Sequence, residues 1–424
     1  MQEDFLHYLW KHKKMDVSNI KTTDKEIINV LSVGQHNFNA GPDFFNAQLQ
    51  IDNQLWAGNV EVHIKSSDWF LHNHELDKAY DNVILHVVWE HDTDIFRRNN
   101  SKIPTLELKH YVSKSALNNY EKLFTKSGKW INCEHDFSSV NNFEMSNWLE
   151  RLYLERLERK AEDIHALLLT SKNDWESVLF KMLVKNFGLK VNGDAFLSLA
   201  NSIDFSIIRK TLTNKTMLEA LLFGQAGLLA QDIEEPYYSE LVKEYDFLKQ
   251  KFSVSNKNVT PIQFFRLRPP NFPTIRLSQL ATLYHQNQNL FSKIIEINAL
   301  DGFYDLFSVA TSPFWESHYT FGKSSKKSKK VLTKAFIDLL LINTILPLKF
   351  SYAKFQGIHI DDSIISLIES IASEKNSIVE KFNSLKLVST SALQSQGLLQ
   401  LKNEYCDKNK CLQCAIGSSL LHSN

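Results

Sequence analysis

The sequence predicts an α+β fold, with an α/β domain over residues 1–125 followed by a larger α-helical domain over residues 146–403. Three observations lead there. Between residues 27 and 108, apolar residues alternate with period two or form short continuous runs. After about residue 140 the period becomes that of a helix. Glycine (13) and proline (9) are scarce in 424 residues, which argues against a linker-rich or disordered chain.

Residues 3–13 form an amphipathic helix, with Phe5, Tyr8 and Leu9 at helical spacing. Ile27–Val33 is a β-like apolar run, and Gly41-Pro42 breaks the chain. Phe45, Ala47, Leu49 and Ile51 alternate with polar residues, which predicts a half-buried strand. Asp52-Asn53 turns the chain into a second strand, Leu55–Ile64. There Val60, Val62 and Ile64 face one way, while Glu61 and His63 face the other. His74–Asp81 suits a short helix. Val83–Trp89 is continuously apolar, as a central strand buried on both faces would be, and Ile103–Leu108 is one more strand.

Residues 126–145 are expected to link this domain to the helical one. Trp148–Leu169 is a long helix with a charged face that includes the i, i+4 pairs Arg151/Glu155 and Glu155/Arg159. Helices are predicted over 175–187, 194–200, 215–231, 237–252, 277–297, 331–345, 361–386 and 392–403. Three prolines exclude a helix from Phe264 to Leu277. Residues 404–424 form a separate cysteine-bearing end.

Forty-eight basic and 48 acidic residues cancel, which excludes a globally basic nucleic-acid coat but not a local basic groove. Acids stand where a signal peptide has its basic region, and the apolar stretch Ala335–Leu346 is interrupted and then met by Pro347. Four cysteines do not make a disulfide scaffold, so the expectation is a reduced cytoplasmic protein with no membrane partner.

The most informative stretch is Gly41-Pro42-Asp43, seventeen residues, then Glu61-Val62-His63. One hairpin brings both acids to one point, and two carboxylates suit a hard divalent ion such as magnesium. Such an ion can activate water and stabilise charge on a phosphate. Asp, a hairpin, then Glu-x-Lys within an α-β-β-β-α-β order resembles the PD-(D/E)XK nuclease superfamily over roughly the first 110 residues. That resemblance implies a restriction-endonuclease-like core in which Asp43 and Glu61 bind magnesium and a metal-dependent phosphodiesterase acts on nucleic acid. His63 stands where the pattern has lysine, and Lys65, two residues on along the same face, is the candidate substitute. The retained acids favour an enzyme. The displaced lysine favours an inactive nuclease-fold scaffold that binds nucleic acid or protein. The whole chain also resembles the family known as domain of unknown function 2851, through AGPDFFNAQLQID, GNVEVHIKSSDW, YDNVILHVVWEHD, FRLRPPNFPTIRLSQLA and YCDKNKCLQCAIG. No activity comes with that likeness.

His63, His72, His74, His86 and His91 fall within thirty residues, and His72-Asn73-His74 has metal-ligand spacing. This supports a further alternative, a histidine-based metal hydrolase, with His86 expected to be a core histidine bonded to a neighbour. Cys406-x4-Cys411-x2-Cys414 is a soft-metal pattern for zinc or an iron–sulfur cluster, with Cys133 or His135 as the fourth ligand. Lys326, Lys327, Lys329 and Lys330 lie in a serine-rich basic run, and Arg266, Arg268 and Arg276 lie among aromatics and prolines. Both stretches are candidate phosphate contacts; the second can equally be a rigid strap.

Overall fold

The computed structural model describes residues 1–125, 128–358 and 362–422, so the expected first residue of the 361–386 helix and two residues of the expected 126–145 linker lie outside the described residues. The chain divides into two compact units. The first contains Met1–Trp148, Ser384–Lys386 and Leu401–Asn424; the second contains Leu149–Asn383 and Leu387–Gln400. The chain is thus mixed α+β, with a small mixed sheet near its N-terminus and a larger helical part.

The first unit opens with α1 (Glu3–Lys11), followed by β1 (Ile28–Ser32), the short β2 (Gln35–His36), β3 (Phe44–Ile51) and β4 (Gln54–Lys65). Then come α2 (Asp68–Leu71), β5 (Val83–Glu90), β6 (Thr105–Glu107) and α3 (Lys114–Phe124). The sheet order is β1-β3-β4-β5-β6, with β2 paired to β3. The β1/β3 and β3/β4 pairs are antiparallel, and β4/β5 and β5/β6 are parallel. The parallel step requires a crossover, which α2 and the following turn supply.

Burial follows the predicted alternation with one informative exception. Ala47, Leu49 and Ile51 are buried, but Phe44 rather than Phe45 joins the core. The register between β3 and β4 shifts between Phe44 and Ala47, and Asn46 has a φ of 58°. A left-handed residue at a bulge adds one position to β3 and reverses the faces before it. The bulge therefore sets which way the start of β3, with Asp43 just before it, presents its side chains. Gly58 serves the same region: a Cβ there would lie 2.5 Å from Ile84 Cγ2 and 2.6 Å from Asn82 O, so only glycine lets β4 approach β5 this closely. α1 buries Phe5, Leu6, Leu9 and Trp10 in the core beneath the sheet, each side chain worth about 1.5–3 kcal/mol.

The described residues 128–148 and 401–422 group with the first unit. The reason is apolar: Cys411 and Leu421 lie in the same buried core as α1 and the sheet, with Cys133 and Leu412 packed against it.

The second unit is helical. It begins within the helix Asn142–Thr170, whose Arg151 and Glu155 pair at 3.5 Å as the spacing predicts. Two boundaries differ from expectation because proline opens helices as well as closing them. Pro273 is the first residue of the helix Pro273–Gln286, where its missing N–H costs nothing. Pro347 follows a π-helical turn, Leu341–Ile345, so the helical path from Lys334 continues to Phe355 instead of stopping. That path, Lys334–Phe355, is long and apolar enough to cross a membrane and is 72% buried inside the protein.

Candidate metal centre

β4 is buried on both faces. Val60 and Val62 enter the core, while Glu61 (5% exposed) and His63 (2%) point the other way. Asp43 is tied to this edge by two backbone bonds: its N–H donates to Glu61 Oε2 at 3.1 Å, and its Oδ2 accepts from the Val62 N–H at 2.9 Å. The two predicted acids therefore stand side by side.

Three imidazoles join them. His63, His72 and His74 each offer a ring nitrogen, and these atoms all lie within 4.8 Å of one another; among the described residues no other set of three His, Cys, Asp or Glu does this. His63 Nε2 is 3.0 Å from His72 Nδ1 and 3.5 Å from Glu61 Oε1, and His74 Nε2 is 3.4 Å from that same oxygen. Neighbouring donors around one tetrahedral ion with bonds of about 2.0–2.1 Å would be about 3.3–3.4 Å apart, close to the separations of His63 and of His74 from Glu61 Oε1. His74 Nε2 is buried and has no hydrogen-bond partner among the described residues, a cost that a cation would remove.

Local structure explains the convergence. Asn73, between the two histidines, is left-handed with a φ of 59° and reverses the chain after α2. His74 stacks on Tyr80 with ring centroids 3.7 Å apart, and Trp69 meets it edge-on. Behind the centre, His63 Nδ1 is 2.8 Å from Nε2 of the fully buried His86. If His63 offers Nε2 to a metal, its Nδ1–H donates to His86, the supporting bond that metal-bound histidines ordinarily make. His72 is exposed and Asp43 partly so, which places the open side of the centre there.

The electrostatics fit a site built for a cation. Burial, then the neighbouring Asp43, pushes the Glu61 carboxyl above the usual range. Burial, with His74 and His72 nearby, holds His63 down at about 3, and burial also lowers His74 and His86. The protein alone thus favours neutral imidazoles, the form that coordinates metal. On α1, burial disfavours a charged His7, yet the Asp43 carboxylate, 3.2 Å away, raises it overall. Glu3, one turn earlier on that helix, is also raised, chiefly by burial.

Of the residues predicted from sequence, Asp43, Glu61 and His63 come together here. Lys65 does not join them: it is exposed, and its ammonium makes no hydrogen bond or ion pair among the described residues. His7 was not anticipated, although its i, i+4 spacing from Glu3 on an amphipathic helix was a signal. His86 is the bonded core histidine that was expected, and His91 contacts Ser66 and Asp94 instead of the centre.

The other predicted residues separate clearly. Cys133, Cys406, Cys411 and Cys414 line one cavity. His135 is not among the residues lining it. Arg276 and Lys330 are corrections, because both are buried and engaged and so cannot meet a phosphate. The Arg276 guanidinium lies over the Phe336 ring at 3.6 Å and donates to Gln279 and Asn271, while Lys330 Nζ donates to the carbonyls of Trp315 and Glu316. Arg266, Arg268, Lys326, Lys327 and Lys329 are exposed.

No curated protein and no solved structure matches the chain. A family model described as Protein of unknown function (DUF2851) matches residues 3–377, nearly the whole length, and the chain belongs to that family.

Proposed function

We propose that this protein is a metal-dependent hydrolase of phosphodiester bonds in nucleic acid, with its centre at Glu61, His63, His72 and His74 and with Asp43 at the open edge. The observation that carries the reading is the gathering of His63, His72 and His74, whose ring nitrogens lie within 4.8 Å of one another, with Glu61 Oε1 3.5 Å from His63 and 3.4 Å from His74, beside a second carboxylate. Three imidazoles with carboxylates suit manganese or zinc better than the magnesium expected from the acid pair alone, because magnesium prefers oxygen donors. When bound, such an ion lowers the pKa of a coordinated water and withdraws charge from a phosphate. Asp43 and His7, held 3.2 Å apart at the exposed side, are placed to take or deliver a proton there.

The phosphodiester assignment draws on the order of the first unit, which is α-β-β-β-α-β once the two-residue β2 is set aside, with Asp43 just before β3 and Glu61 on β4. That is the pattern of the PD-(D/E)XK nucleases, whose core we propose for this unit. Arg266, Arg268, Lys326, Lys327 and Lys329 are exposed in the second unit and are the phosphate contacts we propose for that unit by itself. One observation favours the reading of an inactive scaffold: Lys65, the substitute for the missing lysine, is exposed, and its ammonium bonds to none of the centre's groups among the described residues.

The test incubates the full chain with single- and double-stranded DNA and RNA in the presence of magnesium, manganese or zinc. Cleavage with manganese or zinc, abolished by Glu61→Gln and sharply reduced by Asp43→Asn, is expected. Metal binding without cleavage of any of these substrates would replace the enzyme by the scaffold.

A further inference from the structure

The chain contains four cysteines, and all four line one cavity in the first unit although Cys133 is 273 positions from the nearest of the others, Cys406. None is in a disulfide. Random placement would not bring the full complement of thiols from two distant stretches to one apolar pocket, whose other walls include Leu401 and Ile416. Burial and the thiols' mutual field make such a group costly to ionise without a cation.

The spacing discriminates between cations. Around a single zinc with Zn–S bonds of about 2.3 Å, tetrahedral geometry sets the sulfurs about 3.8 Å apart. Among the described residues, the only set of three or more ligand atoms mutually within 4.8 Å is the histidine group, so no three of these sulfurs reach that spacing. The four sulfurs are therefore not gathered at single-ion spacing. An inorganic core of iron and sulfide bridges a wider ring of four thiolates.

The loop around the pocket is shaped to hold ligands. Gly417 passes so close to Cys411 that a Cβ would lie 2.1 Å from its carbonyl oxygen. Beside it, Asn132 Nδ2 donates to Cys411 Sγ at 3.3 Å. Donors aimed at sulfur stabilise thiolate charge and tune a cluster's potential.

We propose that Cys133, Cys406, Cys411 and Cys414 ligate an iron–sulfur cluster, a second inorganic site independent of the histidine centre. The cluster would close the first unit by joining residue 133 to the C-terminal stretch. The test purifies the full chain without oxygen, reconstitutes it with ferrous iron and sulfide, and measures iron, acid-labile sulfide and the visible spectrum. Iron and sulfide in equal amounts, about two or four of each per chain, with the broad visible absorption of thiolate-bound iron, are expected. His72→Ala, which alters only the histidine centre, should keep the sulfide and the absorption. Cys406→Ser should lose most of both. If that variant fails to fold, the wild-type sulfide content still decides. One zinc per chain without sulfide, or no incorporation of iron and sulfide into the wild-type protein, would overturn the proposal.

Discussion

Replacing His86 by leucine isolates the support of the metal centre from its ligands. His86 is fully buried, and its Nε2 lies 2.8 Å from His63 Nδ1. It is a positioning residue: it touches no ligand atom facing the centre, but it fixes the ring orientation of His63 and the tautomer that leaves Nε2 free. Loss of such a partner ordinarily weakens metal binding by about 10–100-fold, equivalent to about 1.4–2.7 kcal/mol. The fold should tolerate the change better than the metal does. His86 Nδ1 is already buried without a partner among the described residues, so leucine removes an unsatisfied polar atom while it removes the useful one. The assay is competition of manganese or zinc between the full chain and a chelator, with circular dichroism as the check on folding. His86→Leu should shift affinity by the stated factor, and His86→Gln, whose amide oxygen can accept from His63, should recover part of it. His72→Ala, which deletes a ligand, should cost more. A folded His86→Leu protein with wild-type affinity would refute the assigned tautomer and the supporting role.

Three further outcomes follow from individual residues. Gly58→Ala places a Cβ against Ile84 and the Asn82 carbonyl and should destabilise the first unit by about 1–3 kcal/mol, read in denaturant melts. Lys349 Nζ donates to the carbonyls of Ile294, Ile295 and Ile297, so Lys349→Met should cost about 2–4 kcal/mol and lower the melting temperature of the second unit. Burial, reinforced by Arg156 and Arg159, holds the Lys160 ammonium down at about 7. The unfolded chain then binds more protons than the folded one between pH 7 and the ordinary lysine range near about 10.4, so this group makes stability rise with pH across that window by at most about 1.4 kcal/mol per pH unit. Lys160→Met should remove that slope, and an unchanged slope in urea melts at pH 7, 8 and 9 would contradict the assignment.

Much of the first unit was legible because its elements are short and their faces differ. Alternation located β3 and β4, the unbroken apolar run located β5, and the shared face of Glu61 and His63 indicated where polar groups would gather. What period-two reasoning could not supply was the bulge at Asn46, since a single left-handed residue changes which phenylalanine is inside without changing composition. His7 was hidden for another reason: it lies on α1, and its approach to Asp43 is a tertiary contact with no local signature beyond the Glu3 spacing. The prolines at 273 and 347 were read as breakers. The first is a helix start, and a π turn accommodates the second. Arg276 and Lys330 had the composition of phosphate contacts, but burial against Phe336 and against backbone carbonyls gives them structural partners.

The metal centre is tested most directly by anomalous diffraction from crystals of the full chain grown with manganese or zinc, recorded at the absorption edge of the added metal. An anomalous peak within about 2.0–2.3 Å of His63 Nε2, His72 Nδ1, His74 Nε2 and a Glu61 oxygen is the predicted result. Full occupancy of the metal elsewhere in the molecule, with these four side chains still in contact only with one another, would contradict it.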